Sequence, residues 1–381
     1  MRYLFFVLCC LFGISAGLSS ALAQTTLAPV AARAWVLLDY SSGQVLASEN
    51  IDMPLEPASL TKVMTAYLAY AALRENTLKL DQVVAVSERA WRMPGSRSFI
   101  EVNHRVKVGD LLSGMIIQSG NDAAVALAEA IAGKEEGFVA IMNRQAALLG
   151  MSKTHFLNAS GYFDGPQPQH VSTAGDLARL AAALMRDFPE SHALHAAKEY
   201  SFNGIHQYNR NRLLWLDPTV DGLKTGHSQA AGYCLIGTAK RGERRLISVV
   251  LGTASDDART QESLKLLNYG FLAFDGIKLY NKGAAVSQVR IFKGSQATVP
   301  AGFIDDFIVS LPKGTLKENI KAQLVTRQPL LAPVQKGAQI GTLKLFVDDK
   351  SWGQFPVYAL EDVPLAGMLG RGWDSLKLWL Q

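Results

Sequence analysis

The sequence contains little cysteine: three residues in 381, of which only Cys234 lies beyond the first ten positions. An apolar run over 3–18 is followed by small residues that end at Ala23. This pattern is typical of a secretory signal peptide over residues 1–23, which predicts an exported, periplasmic protein. A transmembrane anchor is the alternative, but the run is short for one. Cleavage leaves Cys234 without an internal disulfide partner, so we expect it to be a small buried side chain.

Long runs of like charge are also missing. Charged residues make up 19% of the chain, and the net charge of +5 is spread along it. A nucleic-acid partner is therefore not indicated.

The histidines form no HExxH or other recognisable ligand spacing, so we expect no metal and no cofactor. The histidines considered are His104, His155, His170 and His206.

Apolar residues make up 49% of the sequence, which suits a folded chain with room for two domains. Residues 24–275 begin with strand patterns, continue with helical ones, and return to strands before a final helix. This order predicts an α/β (α+β) domain with an antiparallel sheet flanked by helices. Residues 284–361 alternate short strand patterns with turns, which predicts a small, sandwich-like all-β domain.

The segment 363–381 has the pattern of an amphipathic helix. Its apolar side chains fall within an arc of roughly 140° on a helical projection, and the polar ones lie opposite. The segment is too short to cross a bilayer, so we expect it to lie on a membrane surface. A helix docked on the protein's own core is the alternative. The apolar residues are Leu365, Met368, Leu369, Trp373, Leu376, Trp379 and Leu380.

A Ser-x-x-Lys pair opens a mostly apolar helical stretch near the predicted mature N-terminus. Ser59 and Lys62 are three residues apart, a spacing that places two side chains on one helix face. A serine hydroxyl needs an adjacent base to act as a nucleophile at neutral pH, and a lysine can serve only if its pKa is lowered. A second such pair, Ser310 and Lys313, is excluded because Pro312 lies inside the spacing.

Two further motifs are weak when taken singly. Ser119 and Asn121 form a Ser-x-Asn motif at a break between two helical patterns, where simple helix capping is the alternative. Lys224, Thr225 and Gly226 form a single Lys-Thr-Gly motif on a strand pattern. An exposed lysine before a strand irregularity is the alternative there.

Together and in this order, the three motifs form the set of the penicillin-recognising serine enzymes. Ser59 would attack a carbonyl, with Lys62 as its base, and the charge of Lys224 would help burial to lower the pKa of Lys62. Ser119 would relay a proton to the leaving amine, and Asn121 would orient Lys62 and the substrate.

The Lys-Thr-Gly strand would bind the substrate. Lys224 and Thr225 would hold a carboxylate, and Gly226 would let a substrate chain approach the sheet edge. Backbone N–H groups of Ser59 and His227 would form the oxyanion hole, in which one donor is worth about 3 kcal/mol of barrier.

From residue 34 onward the chain resembles the low-molecular-mass (class C) penicillin-binding proteins, which are serine-type D-alanyl-D-alanine carboxypeptidases. The matching stretches are PASLTK at 57–62, QSGNDA at 118–123, FNGI at 202–205, NRN at 209–211 and VDGLKTGH at 220–227.

The resemblance implies that the enzyme releases the terminal D-alanine of peptidoglycan pentapeptide stems through an acyl-Ser59 intermediate. It also implies covalent inhibition by β-lactam antibiotics and a place at the outer face of the cytoplasmic membrane. Arg210 stands where the family has an arginine near the carboxylate site; a surface arginine is the alternative.

Three other activities remain open on the sequence. A class A-like β-lactamase shares the motifs but needs a carboxylate to activate water, and 161–173 offers Asp164 and no glutamate. An endopeptidase acting on peptidoglycan cross-links would use the same residues. A penicillin sensor would become acylated and stay so, because deacylation depends on water placement.

Overall fold

The structure is a computed structural model that describes residues 26–380, so the predicted signal peptide lies outside the described residues. The chain forms two parts, each with an antiparallel sheet. The strands are β1 (Ala34–Asp39), β2 (Val45–Glu49), β3 (Val83–Ala85), β4 (Arg105–Lys107), β5 (Glu199–Phe202), β6 (Ile205–Tyr208), β7 (Val220–Ser228), β8 (Gly232–Arg241), β9 (Arg244–Thr253), β10 (Phe274–Tyr280), β11 (Ala285–Arg290), β12 (Thr298–Gly302), β13 (Phe307–Pro312), β14 (Ile320–Thr326), β15 (Gln339–Val347) and β16 (Lys350–Ala359).

Helices cover both faces of the first sheet and end the chain. They are α1 (Lys62–Arg74), α2 (Glu88–Trp91), α3 (Val108–Ser113), α4 (Asn121–Ala132), α5 (Glu135–Leu148), α6 (Ala174–Asp187), α7 (Pro189–His192), α8 (Leu213–Leu216), α9 (Asp256–Ala273) and α10 (Met368–Trp379). The first sheet has the strand order β2-β1-β9-β8-β7, so β7 is an edge strand.

The first sheet lies between two apolar cores, because its strands carry apolar side chains on both faces. Along β1, Val36 and Leu38 pack with α1, α4 and α6, whereas Leu37 packs with Leu266 and Leu267 of α9. Successive residues of a strand point to opposite faces, so a strand buried on both sides is apolar throughout. The predicted antiparallel sheet flanked by helices is thereby confirmed.

The second part is an all-β domain, also as predicted. Its main sheet has the order β11-β12-β16-β15-β14, and β10 pairs separately with β13. We expected the first domain to end at 275, in an Asp-Gly turn. Instead, β10 begins at Phe274, directly after α9, and runs through that Asp-Gly pair into the second domain.

A buried polar cluster joins the two parts. The carboxylate of Asp39, at the end of β1, accepts hydrogen bonds from Arg244 Nε and Ser310 Oγ, both at 2.7 Å. The Ser310 N–H donates to Gln44 Oε1 at 2.7 Å, and Trp352 Nε1 donates to Ser310 O at 2.9 Å. Ser310, the serine of the second Ser-x-x-Lys pair, therefore lies on strand β13 and has a structural role.

The C-terminal helix α10 is attached to the β-domain by its polar face. Asp374 accepts a hydrogen bond from the Lys293 N–H at 2.6 Å. On its other side, Leu369 is 92% exposed and Trp379 is 81% exposed. Within residues 26–380, no helix has both the length and the apolar character needed to cross a membrane.

Candidate active site

The Ser-x-x-Lys pair lies at the start of α1. We expected Ser59 and Lys62 on one α-helix; instead Ser59 lies in a 3₁₀ turn, Ala58–Thr61, and α1 begins at Lys62. Such tighter turns are common at helix N-termini. The two side chains still meet, because Lys62 Nζ donates to Ser59 Oγ at 3.0 Å.

Lys62 is held by three oxygen atoms in a buried position. Besides Ser59, its Nζ donates to Asn121 Oδ1 at 2.7 Å and to the Ser160 carbonyl at 2.8 Å. The side chain is 1% exposed, so little water replaces these partners. The amine is therefore fixed beside the hydroxyl.

Burial lowers the pKa of Lys62 to about 7, and two charges modify this effect. The carboxylate of Asp122 raises the pKa, and the guanidinium of Arg210 lowers it. We expected Lys224 to help lower this pKa; the two amines do repel each other, since the charge of Lys62 lowers the pKa of Lys224, and Arg210 is a further cation that lowers the pKa of Lys62. A substantial fraction of the Lys62 amine is thus uncharged at neutral pH, as a base requires.

The Ser-x-Asn motif occupies a sharp break between helices. A π-helical turn, Gly114–Gln118, ends at Ser119, whose φ of 69° lies in the left-handed region. Asn121 then begins α4, and its Nδ2 donates to Pro94 O at 2.6 Å. A non-glycine residue in this conformation is strained, which is common where side chains must face a site.

The Lys-Thr-Gly motif lies on β7, against the nucleophile turn. Lys224 and Thr225 are buried, and Lys224 Nζ donates to Thr225 O at 3.1 Å. Gly226 suits this position, because a Cβ here would lie 3.0 Å from Pro57 O and 3.2 Å from Leu60 Cγ, which is tighter than ordinary packing. The glycine allows β7 to pack directly on the turn that carries Ser59.

Several cations are crowded together around Lys224. Burial lowers its pKa well below the usual value, and the charges of Lys62, Arg210 and Arg259 lower it further. Mutual repulsion of this kind is relieved by an anion. The site is therefore suited to an anionic ligand.

A cavity of about 620 Å³ opens beside these motifs. Arg210, which is exposed, donates from Nε to Gln118 O at 3.2 Å, and His227 stacks on Tyr233 with ring centroids 4.0 Å apart. The structure thus brings Ser59, Lys62 and Asn121 into direct contact, with Arg210 and His227 on the cavity wall. The cavity is lined by Ser59, Gly95, Ser96, Asn121, Gly161, Tyr162, Phe163, Gly165, Pro166, Arg210, His227, Ser228, Gln229 and Ala230.

Sequence reasoning missed the role of Asp122 and Arg259. Asp122 is fully buried and accepts the Ser98 N–H at 2.8 Å, so it anchors the loop above the Ser-x-Asn break while raising the pKa of Lys62. Arg259 of α9 donates to Gly226 O at 2.9 Å and supports β7 from below. The position of Asp122 directly after the Ser-x-Asn motif could have suggested its role. The sequence around Arg259 contains no pattern that would have suggested a role for that residue.

Cys234 is buried opposite Gly226 on β8, and burial raises its pKa to about 11. Across residues 26–380, no cluster of three His, Cys, Asp or Glu side chains is placed to hold a metal ion.

Comparisons with known proteins agree with this geometry. The family profile described as D-alanyl-D-alanine carboxypeptidase (Peptidase S11) matches residues 21–255. The profile of the penicillin-binding protein 5 C-terminal domain matches residues 274–365. The chain belongs to the D-alanyl-D-alanine carboxypeptidase family. It is a serine-type enzyme of the penicillin-binding proteins, which act on the cell-wall peptidoglycan.

Individual relatives match the carboxypeptidase over most of its length. It is 44% identical to D-alanyl-D-alanine carboxypeptidase DacC of Escherichia coli over 93% of this chain and 90% of that protein. The crystal structure of penicillin-binding protein 5 from Haemophilus influenzae superimposes with a TM-score of 0.82 at 37% identity, covering 89% of this chain and 99% of the other. Penicillin-binding protein D2 of Listeria monocytogenes, in an ampicillin-bound form, gives 0.59 at 35% identity over 65% of this chain and all of its own.

Proposed function

We propose that this carboxypeptidase removes the terminal D-alanine of peptidoglycan pentapeptide stems through a covalent acyl-Ser59 intermediate. The observation that supports this most directly is the contact of Lys62 Nζ with Ser59 Oγ at 3.0 Å, combined with a Lys62 pKa lowered to about 7. A neutral amine at hydrogen-bond distance from a hydroxyl is an activated-nucleophile pair.

In the acylation step, Lys62 takes the Ser59 proton as the serine oxygen bonds to the carbonyl carbon of the penultimate residue. The oxyanion that forms accepts hydrogen bonds from the backbone N–H groups of Ser59 and His227, two residues that line one cavity. The C–N bond then breaks, and the departing amine of D-alanine receives a proton through Ser119. Asn121 keeps the Lys62 amine directed at Ser59, and water later hydrolyses the ester.

The terminal carboxylate of the substrate would bind among the crowded cations. Lys224 and Thr225 provide an ammonium and a hydroxyl on β7, and Arg210 provides a guanidinium on the cavity wall. A bound carboxylate would raise the pKa of Lys224, because it offsets the repulsion that lowers this pKa in the free enzyme.

The same site would be acylated by β-lactam antibiotics, in which the lactam amide replaces the D-Ala–D-Ala bond. A relative at 35% identity has been crystallised in ampicillin-bound and cefotaxime-bound forms. Acylation at Ser59 would block the carboxypeptidase for as long as the ester survives.

The test compares two substrates on the mature protein. With a peptide ending in D-Ala-D-Ala, we expect release of free D-alanine; with penicillin, we expect a lasting mass increase at Ser59. A lasting adduct without any D-alanine release would indicate a sensor. Rapid loss of the adduct would indicate a β-lactamase. Ser59→Ala should abolish both signals, and retention of either would contradict the assignment of the nucleophile.

We also propose that the enzyme works outside the cytoplasm, attached to the outer face of the cytoplasmic membrane by α10. Met368, Leu369, Trp373 and Trp379 expose a large apolar surface on one side of this helix, while Asp374 holds the other side on the β-domain. An exposed apolar stripe with two tryptophans is typical of helices that lie in a membrane interface.

A further inference from the structure

Two side chains hydrogen-bond to backbone carbonyls along β7, the edge strand of the first sheet. Thr225 O accepts a hydrogen bond from Lys224 Nζ at 3.1 Å, and Leu223 O contacts His195 Nδ1 at 3.1 Å. Residues two apart on a strand present their backbone groups to the same edge. Leu223, Thr225 and His227 are therefore successive positions at which a chain added to this edge would pair.

The two ends of this edge differ. Beyond His227 the cavity is open, and it continues along Ser228, Gln229 and Ala230. Before Thr225 the edge is covered by a 3₁₀ turn, Ala193–Ala196, that packs on β7. In this turn, His195 is 1% exposed.

His195 has both ring nitrogens occupied. A carbonyl oxygen can only accept, so Nδ1 carries the hydrogen and donates to Leu223 O. Nε2 is then an acceptor, and the Tyr70 hydroxyl donates to it at 3.2 Å. The ring of His192 stacks on the ring of His195, with ring centroids 5.8 Å apart. Burial lowers the pKa of His195 to about 3, so the ring is neutral and this hydrogen-bond pattern persists at neutral pH.

The direction of a bound stem follows from antiparallel pairing with β7. The N-terminal part of the stem lies in the open cavity beyond His227, and its C-terminus points toward Leu223. The residue that follows the scissile bond then lies beside Thr225. A further residue would need the edge position at Leu223.

We propose that His195 ends the substrate-pairing edge of β7 and thereby restricts the enzyme to chains that stop one residue after the scissile bond. The proposal rests on the proposed function, because it uses the placement of the terminal carboxylate beside Thr225 given there. His195 acts as a specificity-determining residue. Its N–H occupies the carbonyl that an extended chain would need, and its ring fills the space that this chain would enter.

The experiment compares a peptide ending in D-Ala-D-Ala with the same peptide extended by one glycine. Release of D-alanine from the first and of D-Ala-Gly from the second gives a ratio of kcat/KM values. In the wild type we expect the ratio to favour the first peptide by at least about a thousandfold. His195→Ala should reduce the ratio at least about tenfold, because it frees both the carbonyl and the space. His195→Asn should keep the wild-type ratio, since its amide N–H can replace Nδ1–H.

A peptide ending in D-Ala-D-Ala-amide separates this effect from carboxylate recognition. His195→Ala should leave the preference for the free acid over the amide unchanged. The proposal is wrong if the wild type cleaves the extended peptide as fast as the normal one, or if His195→Ala slows both peptides equally. If His195→Ala does not fold, His195→Leu keeps the volume without the donor, and an unchanged ratio in that variant refutes the role of the N–H. Absence of D-alanine release from the normal peptide in the wild type would instead refute the proposed function.

Discussion

Asn121 Oδ1 lies 2.7 Å from Lys62 Nζ, and the Nδ2 of the same amide donates to Pro94 O at 2.6 Å. The second contact fixes which end of the amide faces the lysine. The partner of Lys62 is therefore a neutral oxygen. A carboxylate in the same place would raise the pKa of Lys62 and so keep the amine protonated, and a protonated amine cannot act as a base.

The first prediction concerns the pH dependence of acylation. With a Lys62 pKa of about 7, the rate of acylation by penicillin should rise with pH up to about 7 and then level off, because only the neutral amine accepts the Ser59 proton. Asn121→Asp should move the midpoint upward, since a carboxylate favours the charged amine. The measurement is the acylation rate by mass spectrometry between pH 5 and pH 9. Asn281→Asp, on an exposed turn of the β-domain, is the control; equal midpoints in all three proteins would contradict the prediction.

The second prediction tests whether Lys62 must deprotonate. Lys62→Arg keeps a cation near Ser59, but a guanidinium does not lose its proton at these pH values. We expect acylation to slow by at least about a hundredfold. Lys79→Arg, at an exposed position, should acylate at the wild-type rate. A folded Lys62→Arg protein that still acylates rapidly would assign the base elsewhere.

The third prediction concerns the close approach of β7 to the nucleophile turn. Gly226→Ala would place a methyl group 3.0 Å from the backbone oxygen of Pro57, so we expect β7 and the turn that carries Ser59 to move slightly apart. We expect acylation to be largely lost, with a decrease of about 1–3 kcal/mol in the free energy of unfolding. Gly372→Ala, where a Cβ meets nothing within 4 Å, is the matched control. Full activity of Gly226→Ala would show that the contact has no functional role.

The fourth prediction concerns α10. Removing residues 363–381 would also remove Val363, which is fully buried in the β-domain core, so a cut before Gly367 is the sharper test. We expect the shortened protein to acylate normally and to lose its binding to anionic lipid vesicles. Trp373→Glu in the full chain should weaken vesicle binding in the same way. Equal sedimentation with vesicles for all three proteins would refute the anchor.

The fifth prediction concerns acid stability. Burial lowers the pKa of His170 to about 4 and that of His195 to about 3, from an ordinary value of 6.5. Below pH 6.5 the unfolded chain binds protons that the folded chain does not. Stability is therefore fully present above this pH and falls as the pH drops toward 4, by up to about 1.4 kcal/mol per pH unit for each histidine.

Denaturant titrations across that pH window measure this loss. His170→Gln should reduce the slope of the free energy of unfolding against pH, because it removes one of the two histidines whose pKa burial lowers to about 4 and about 3. His206→Gln, at an exposed position, is the matched control. Identical slopes in the wild type and His170→Gln would contradict the buried neutral state.

The sequence predicted the strands and helices whose apolar pattern is strong. The strand pattern at the Lys-Thr-Gly motif, for example, is observed as β7, and the final helix predicted for the first domain is observed as α9. The hairpin of β5 and β6 and the strand β10 were missed. Their patterns are short or interrupted by Asp-Gly and Asn-Gly pairs, which read as turns. Tertiary pairing, such as that of β10 with β13, decides these segments.

The site was predictable as far as motifs reach. Spacing brought Ser59 and Lys62 together, and the order of the motifs predicted that Lys224 lies on a neighbouring strand. The spacing of residues in the sequence did not predict which charges change the pKa of Lys62. That Arg210 lowers the pKa of Lys62 and Asp122 raises it depends on three-dimensional distances between residues far apart in sequence. The 3₁₀ turn at Ser59 and the left-handed Ser119 are likewise local responses to packing.

The carboxylate of Asp39 takes a hydrogen bond from each half of the molecule, one from Arg244 and one from Ser310. Separating the halves would leave a buried acid with a partner missing and expose apolar surface around it. The β-domain therefore supplies one of the hydrogen bonds to a buried acid of the first domain. A chain without this module would need another donor, from water or from a different side chain, for the oxygen of Asp39 that Ser310 now contacts.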